Sequence, residues 1–301
     1  HPAQTEAVTY ISGRGDPMSV FFMLLALWFF VQKEKYKALS MISMVLALLS
    51  RETAIIFPLL LMVFYISFLS KGGFAPALKR SFFISLPFWA ISAFYFVLRL
   101  TVFNFENTLN FYSQSNIYTE NLIFRLYTFG AVLVEYFKII FVPVSLHMER
   151  DFPIFTSLAQ WPVWFGAFVA FGILYTVCRL YKKEKIWFFS WMWFFIALGP
   201  VSGIIPIHAL IYEDWLYLPL IGFAALAGFY IDKLFDLLRS RKVFVGYWLL
   251  AVGLIVYFSF FAVQSIRRNI LWGNPIEFYQ DILRYSPSSV RILTNLGNLY
   301  S

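Results

Sequence analysis

Long apolar runs alternate with short basic clusters along this chain. Met18–Gln32, Tyr36–Ser50, Thr53–Ser70, Ser81–Phe103, Trp161–Leu180, Trp187–Pro206, Trp215–Leu238 and Phe244–Ser265 are almost uninterrupted hydrophobic stretches. A membrane helix needs ~20 predominantly apolar residues, and shorter cores are helped by flanking side chains that reach the interface. The pattern predicts an all-α, polytopic membrane domain over residues 1–265 with about eight spans. Trp161, Trp187 and Trp215 stand at span ends, as interfacial aromatics do. A further apolar segment, Phe124–Ser145, carries Glu135 and Lys138, three residues apart on one helix face. They form an internal ion pair or line a polar cavity. After Arg267 the pattern changes. Asn274–Pro275 and Ser286–Pro287 break the chain on either side of an amphipathic helix, Ile276–Tyr285. Leu293, Leu296, Gly297 and Tyr300 then fit the opening of a tetratricopeptide repeat, with Leu in the Trp position. Residues 266–301 therefore read as a linker helix and the start of a repeat solenoid.

Charge gives these spans a direction. The basic residues cluster at Lys33–Lys37, Lys71–Arg80, Arg179–Lys185 and Arg239–Lys242, between hydrophobic runs. The positive-inside rule puts all four clusters in the cytoplasm. His1–Asp16, Arg51–Glu52, Asn104–Asn121, His147–Gln160, His208–Asp214 and everything after Arg267 then face the other side. Parity holds only if Phe124–Ser145 does not cross, so it reads as re-entrant, interfacial or packed within the bundle.

Composition narrows the function. The chain has 301 residues, 60% of them hydrophobic and 13% charged, against roughly 25% charged in a soluble domain. The net charge of +8 is accounted for by loop anchors, which argues against nucleic-acid binding. The single Cys178 excludes a disulfide framework and a cysteine metal site. The chain opens at His1 without Met and stops inside a helical-looking stretch, and so reads as part of a longer protein.

Most of the chemically able groups fall on the non-cytoplasmic side: Glu6, Arg14, Asp16, Arg51, Glu52, His147, Glu149, Arg150, Asp151, His208, Glu213 and Asp214. Neither HExxH nor a Gly-rich phosphate loop is present. His147, Glu149 and Asp151 alternate in a way that suits a cation or a solvated loop. Arg14 beside Asp16 and Arg51 beside Glu52 place acid next to base at the mouths of spans. An arginine fork matches phosphate oxygens, and a nearby carboxylate can take a proton from a nucleophile. The same pairs also serve as interfacial anchors. The Asn104–Asn121 loop, rich in Asn, Tyr and Phe, suits either a solvated lid or an acceptor surface.

HPAQTEAVTYISGRGD, residues 1–16, resembles the HPxxTEAVxxIxxRxD stretch of the transmembrane and tetratricopeptide-repeat protein family and its bacterial relatives. Ser50-Arg51-Glu52-Thr53-Ala54 resembles that family's S-K-E-T motif. Glu213-Asp214-Trp215-Leu216-Tyr217-Leu218-Pro219 with Gly222-Phe223 resembles E-R-x-L-Y-L-P-x-x-G-F, with Asp214 where the family has Arg. Such proteins are similar to GT-C glycosyltransferases. The resemblance implies transfer of a hexose, mannose above all, from a polyprenyl-phosphate-linked donor to a protein or glycan acceptor on the lumenal or periplasmic face. For a bacterial-type member that is the inner membrane. It also implies that the main acidic base lies upstream of His1. On that reading Glu6 and Asp16 assist catalysis by orienting acceptor or metal. Arg14, Arg51, Glu52, His208, Glu213 and Tyr217 bind substrate. No firm cofactor is implied beyond the lipid-linked donor, although a divalent metal is compatible. The partners are the bilayer, the donor, the acceptor and proteins docked on the repeats. The rival expectation is a non-catalytic, membrane-anchored repeat scaffold for envelope assembly.

Overall fold

The computed structural model of the protein describes residues 1–103, 116–207 and 209–300. Among them there is no strand. The long helices are α1 (Gly15–Val31), α2 (Lys37–Ser50), α3 (Phe57–Phe64), α4 (Phe74–Thr101), α5 (Leu122–Phe141), α6 (Trp161–Leu180), α7 (Lys185–Leu198), α8 (Pro219–Ser240) and α9 (Phe244–Trp272), followed by the pair α10 (Pro275–Tyr285) and α11 (Val290–Tyr300). Among the described residues five stretches are long and apolar enough to cross a membrane: Ile11–Val31, Glu52–Leu69, Phe74–Thr101, Trp161–Leu180 and Phe244–Trp272. Along α9, Trp248, Val252 and Ile255 are exposed. In a chain this apolar, such a face belongs in lipid.

Two sequence expectations shift at their ends. The run Trp187–Pro206 is helical only to Leu198, where Gly199-Pro200 opens a 3-10 turn. Its 14 residues reach about 21 Å at 1.5 Å per residue, short of the ~30 Å hydrocarbon core. The run expected to span from Trp215 becomes α-helical only at Pro219, the residues before it forming the 3-10 turn Asp214–Leu216. Proline at the first helical position suits this late start, because its missing N–H has no partner to lose there.

Small residues set the close packing. Ser40 on α2 donates its hydroxyl to the Ala26 carbonyl on α1 at 2.7 Å, and Met23, Ala26, Met44 and Ala47 bury between the two helices. A Cβ on Gly166 of α6 would fall onto the Gly130 carbonyl oxygen of α5, so these backbones touch. The main core runs from Phe57, Leu60 and Leu61 through Tyr136 to Trp193, Phe194 and Leu198.

Helix α5 buries Tyr136, Ile139 and Ile140 in the main core. Its C-terminal carbonyls meet His1, whose Nε2 is 3.0 Å from Ile140 O, and Tyr257, whose hydroxyl donates to Phe141 O at 2.8 Å. Its N-terminal turn holds Arg125, which donates to the Thr119 carbonyl at 2.6 Å and packs on Gly203. His1 and Thr119 belong to segments that charge counting puts outside the cytoplasm, whereas Tyr257 stands within Phe244–Trp272. Glu135 and Lys138 pair at 3.1 Å, with Arg150 joining Glu135 at 3.2 Å.

The C-terminal pair has its own small core of Phe278, Ile282 and Ile292. The end of α9 that leads into it is tied to the first residues of the chain: Thr9 donates to Asn269 Oδ1 at 2.7 Å, and Tyr10 stacks obliquely on Trp272.

Candidate functional site

The site grows from two helix starts brought together by a glycine. Gly15 opens α1, and a Cβ there would lie 2.9 Å from the Ser50 carbonyl. That contact lets the first turn of α1 abut Arg51, and Arg51 Nε meets Asp16 Oδ1 at 3.0 Å. Arg51 follows the end of α2 with extended backbone, φ −157° and ψ 132°. Its side chain therefore turns off the helix axis and stands between two cavities.

The larger cavity, about 320 Å3, is lined on its polar side by Arg51, Glu52, Thr53, Tyr95, Arg99 and Tyr212, and on its apolar side by Ile55, Phe96, Val201 and Trp215 among others. Arg99 comes from the last turn of α4 and lies 3.8 Å from Glu52. The smaller cavity, about 50 Å3, is lined by Asp16, Ser19, Asp214 and Tyr217 and shares Arg51, Thr53, Val201 and Trp215 with the larger one. On its other flank, Val20 and Tyr217 are shared with an apolar groove of about 870 Å3 that runs between α1, α8 and α9. An acidic chamber thus sits between an arginine-bearing cavity and a greasy groove.

Behind the chamber lies a buried charge cluster. Glu213 is almost fully buried. It accepts from the His147 backbone N–H at 2.7 Å and from Arg150 at 2.8 Å. Burial pushes the Glu213 carboxyl up, with Arg268 and Arg150 opposing. Glu6 is buried in the single helical turn Thr5–Thr9. Burial first, then Asp214 and Glu213, hold its carboxyl well above the ordinary range, while Arg268 and Arg291 offset part of that. Asp214 is raised by burial and lowered by Arg51. His147 is pushed down to about 4 by burial and Arg150. Its ring stacks on Tyr285 at 3.9 Å, while Glu149 turns to Ser289 at 2.7 Å and Arg291 at 3.6 Å. The alternating His147, Glu149 and Asp151 therefore do not converge. Among the described residues no three His, Cys, Asp or Glu side chains form a metal-holding group.

Along 99% of its length this chain is 23% identical to a protein O-mannosyl-transferase of Caenorhabditis elegans. It spans 41% of that relative's length. No family model matches the chain. No solved structure matches it either.

Among the residues singled out from sequence, Asp16, Arg51, Glu52 and Tyr217 line the linked cavities. Glu6 and Glu213 sit behind them in the charge cluster. Arg14 is exposed and lines neither cavity that Arg51 lines, so the arginine that converges with Arg51 is Arg99. His208 lies outside the described residues, as do residues 104–115 of the loop considered for acceptor binding. Sequence reading passed over Arg99, Tyr95, Ser19 and Trp215. Arg99 left one signal: it is a lone guanidinium at the tail of an otherwise apolar run.

Proposed function

We propose that this chain is the membrane-embedded part of a glycosyltransferase that moves a sugar from a polyprenyl-phosphate donor to a protein or glycan hydroxyl on the non-cytoplasmic face. One observation carries the reading: Arg51 and Arg99 share a cavity of about 320 Å3 whose wall is also the wall of the Asp16–Asp214 chamber. Two guanidinium forks suit a phosphate that gains charge as its bond to the sugar breaks. The apolar groove on the far side of the chamber suits an isoprenoid chain. Similarity to an O-mannosyl-transferase along nearly the whole chain favours mannose as the sugar.

In this reaction the acceptor oxygen attacks the anomeric carbon. The bond from that carbon to the phosphate oxygen breaks, and the electron pair leaves with the polyprenyl phosphate. The acceptor proton passes to a carboxylate, and Asp16 and Glu6 orient the acceptor. With the 3-10 turns that adjoin them, Glu34–Tyr36 and Gly199–Val201, α2 and α7 join α8 in completing the eight spans; α5 lies at the interface, and α10 and α11 begin a repeat domain that recruits partners. The bacterial inner membrane, with the site facing the periplasm, is the setting that fits these parts.

Reconstitution of the full-length protein in liposomes containing polyprenyl-phosphate mannose tests this. Transfer to acceptor protein is expected. Arg51→Ala and Arg99→Ala should each lower it roughly ten- to hundred-fold, because a charge-assisted hydrogen bond is worth ~1.5–3 kcal/mol. No transfer from any polyprenyl-phosphate sugar supports the scaffold reading instead.

A further inference from the structure

Three buried oxygens face the small cavity without a hydrogen-bond partner: Asp16 Oδ2, Asp214 Oδ1 and Ser19 Oγ. Ser19 is 1% exposed, so its hydroxyl cannot turn to solvent. Buried polar atoms are nearly always satisfied by protein, water or an ion. The charge count favours an ion. Two carboxylates face one guanidinium, Arg51, which is already engaged with the other oxygen of Asp16. Water would satisfy the hydrogen bonds and leave the surplus negative charge in place.

We propose that the Asp16–Ser19–Asp214 cavity binds a hard metal cation, with the two carboxylates as charged ligands and the serine hydroxyl as a neutral one. All three donors are oxygens, the set that magnesium, calcium and sodium prefer and that zinc does not. A volume of about 50 Å3 holds an ion with one or two waters, since a single water needs roughly 10–15 Å3 by this measure. Asp16 stands on the first turn of α1, and Asp214 opens the turn that leads into α8. The ion therefore joins two separate helix starts and fixes the wall that Arg51 shares with the larger cavity. The inference is independent of which reaction the site performs.

Purified full-length protein, stripped with chelator and held in potassium, is titrated with Mg2+, Ca2+, Mn2+ and Na+ while its unfolding temperature is followed. At least one cation should raise it saturably, by about 4–8 °C at a hundredfold over Kd. Ser19→Ala, a change small enough to preserve folding, should weaken that response at least tenfold in concentration, and Asp214→Asn should abolish it. If Asp214→Asn does not fold, Ser19→Ala decides alone. Broadening of the bound Mn2+ spectrum on wild-type protein gives a second readout. The proposal is overturned if no cation exceeds the potassium background, or if Ser19→Ala responds with unchanged affinity.

Discussion

Arg150→Ala offers a sharp test of how the wall of the site is held. Arg150 donates to Glu213 at 2.8 Å, to Glu135 at 3.2 Å and to the Ser145 carbonyl at 3.1 Å. Its side chain is 10% exposed and that of Glu213 only 2%. Truncation leaves a carboxylate deep in the protein with the His147 N–H as its remaining close donor. Removing one partner of such a pair costs ~3–5 kcal/mol, mostly as the penalty of the abandoned charge. The double variant Arg150→Ala/Glu213→Gln removes that charge and should recover about 2 kcal/mol of the loss. Equilibrium unfolding in mixed micelles, followed by tryptophan fluorescence, measures both. A loss below about 1 kcal/mol for the single variant, or a double variant no better than the single, would refute the claim that a buried clasp holds Tyr212–Trp215 in place.

Two further outcomes follow from the same structure. The folded protein holds the Glu6 proton more tightly than the unfolded chain does, whose ordinary value is 4.5. The stability Glu6 contributes is therefore full below that value and is lost as pH rises through the elevated one. Glu6→Gln should flatten, relative to wild type, the fall in unfolding temperature as pH rises above the ordinary value of 4.5; parallel curves would contradict it. For sidedness, cysteines at Ser12 and Ser288, in a background lacking the exposed Cys178, should react with an impermeant thiol reagent in intact cells, and one at Lys35 should not. Labelling at Lys35 alone would invert the topology.

Much of the helix pattern is legible in the sequence because lipid-facing helices must be continuously apolar. Trp161–Leu180 coincides with its hydrophobic run, while Ile11–Val31, Phe74–Thr101 and Phe244–Trp272 cover most of theirs and extend about two turns beyond one end. The ends were harder to read: Gly199-Pro200 and the turn before Pro219 stop or delay a helix inside a run that is still hydrophobic. Half of the site was visible as well. Asp16 and Arg51 announce themselves as charges at the mouths of apolar stretches, and the resemblance of those stretches to family motifs sharpens them. Arg99 does not. It meets Arg51 from another helix, 48 positions along the chain, and hydrophobic periodicity carries no record of such a meeting. The same is true of Arg150 and Glu213, which pair at 2.8 Å across 63 positions of sequence. Arg14 misled for the opposite reason. It has the right charge in the right segment, but it is exposed in the turn before α1 and lines neither cavity that Arg51 lines.

The most direct measurement of the central claim is binding of a polyprenyl phosphate to the full-length protein in nanodiscs, read by displacement of a photoreactive analogue. Wild-type protein should bind it saturably and crosslink along the groove at Phe223 or Tyr257. Arg51→Met and Arg99→Met should each weaken binding about ten- to hundred-fold, while Arg14→Met leaves it within about twofold of wild type. Equal affinity in all four proteins, or loss in Arg14→Met alone, would contradict the account.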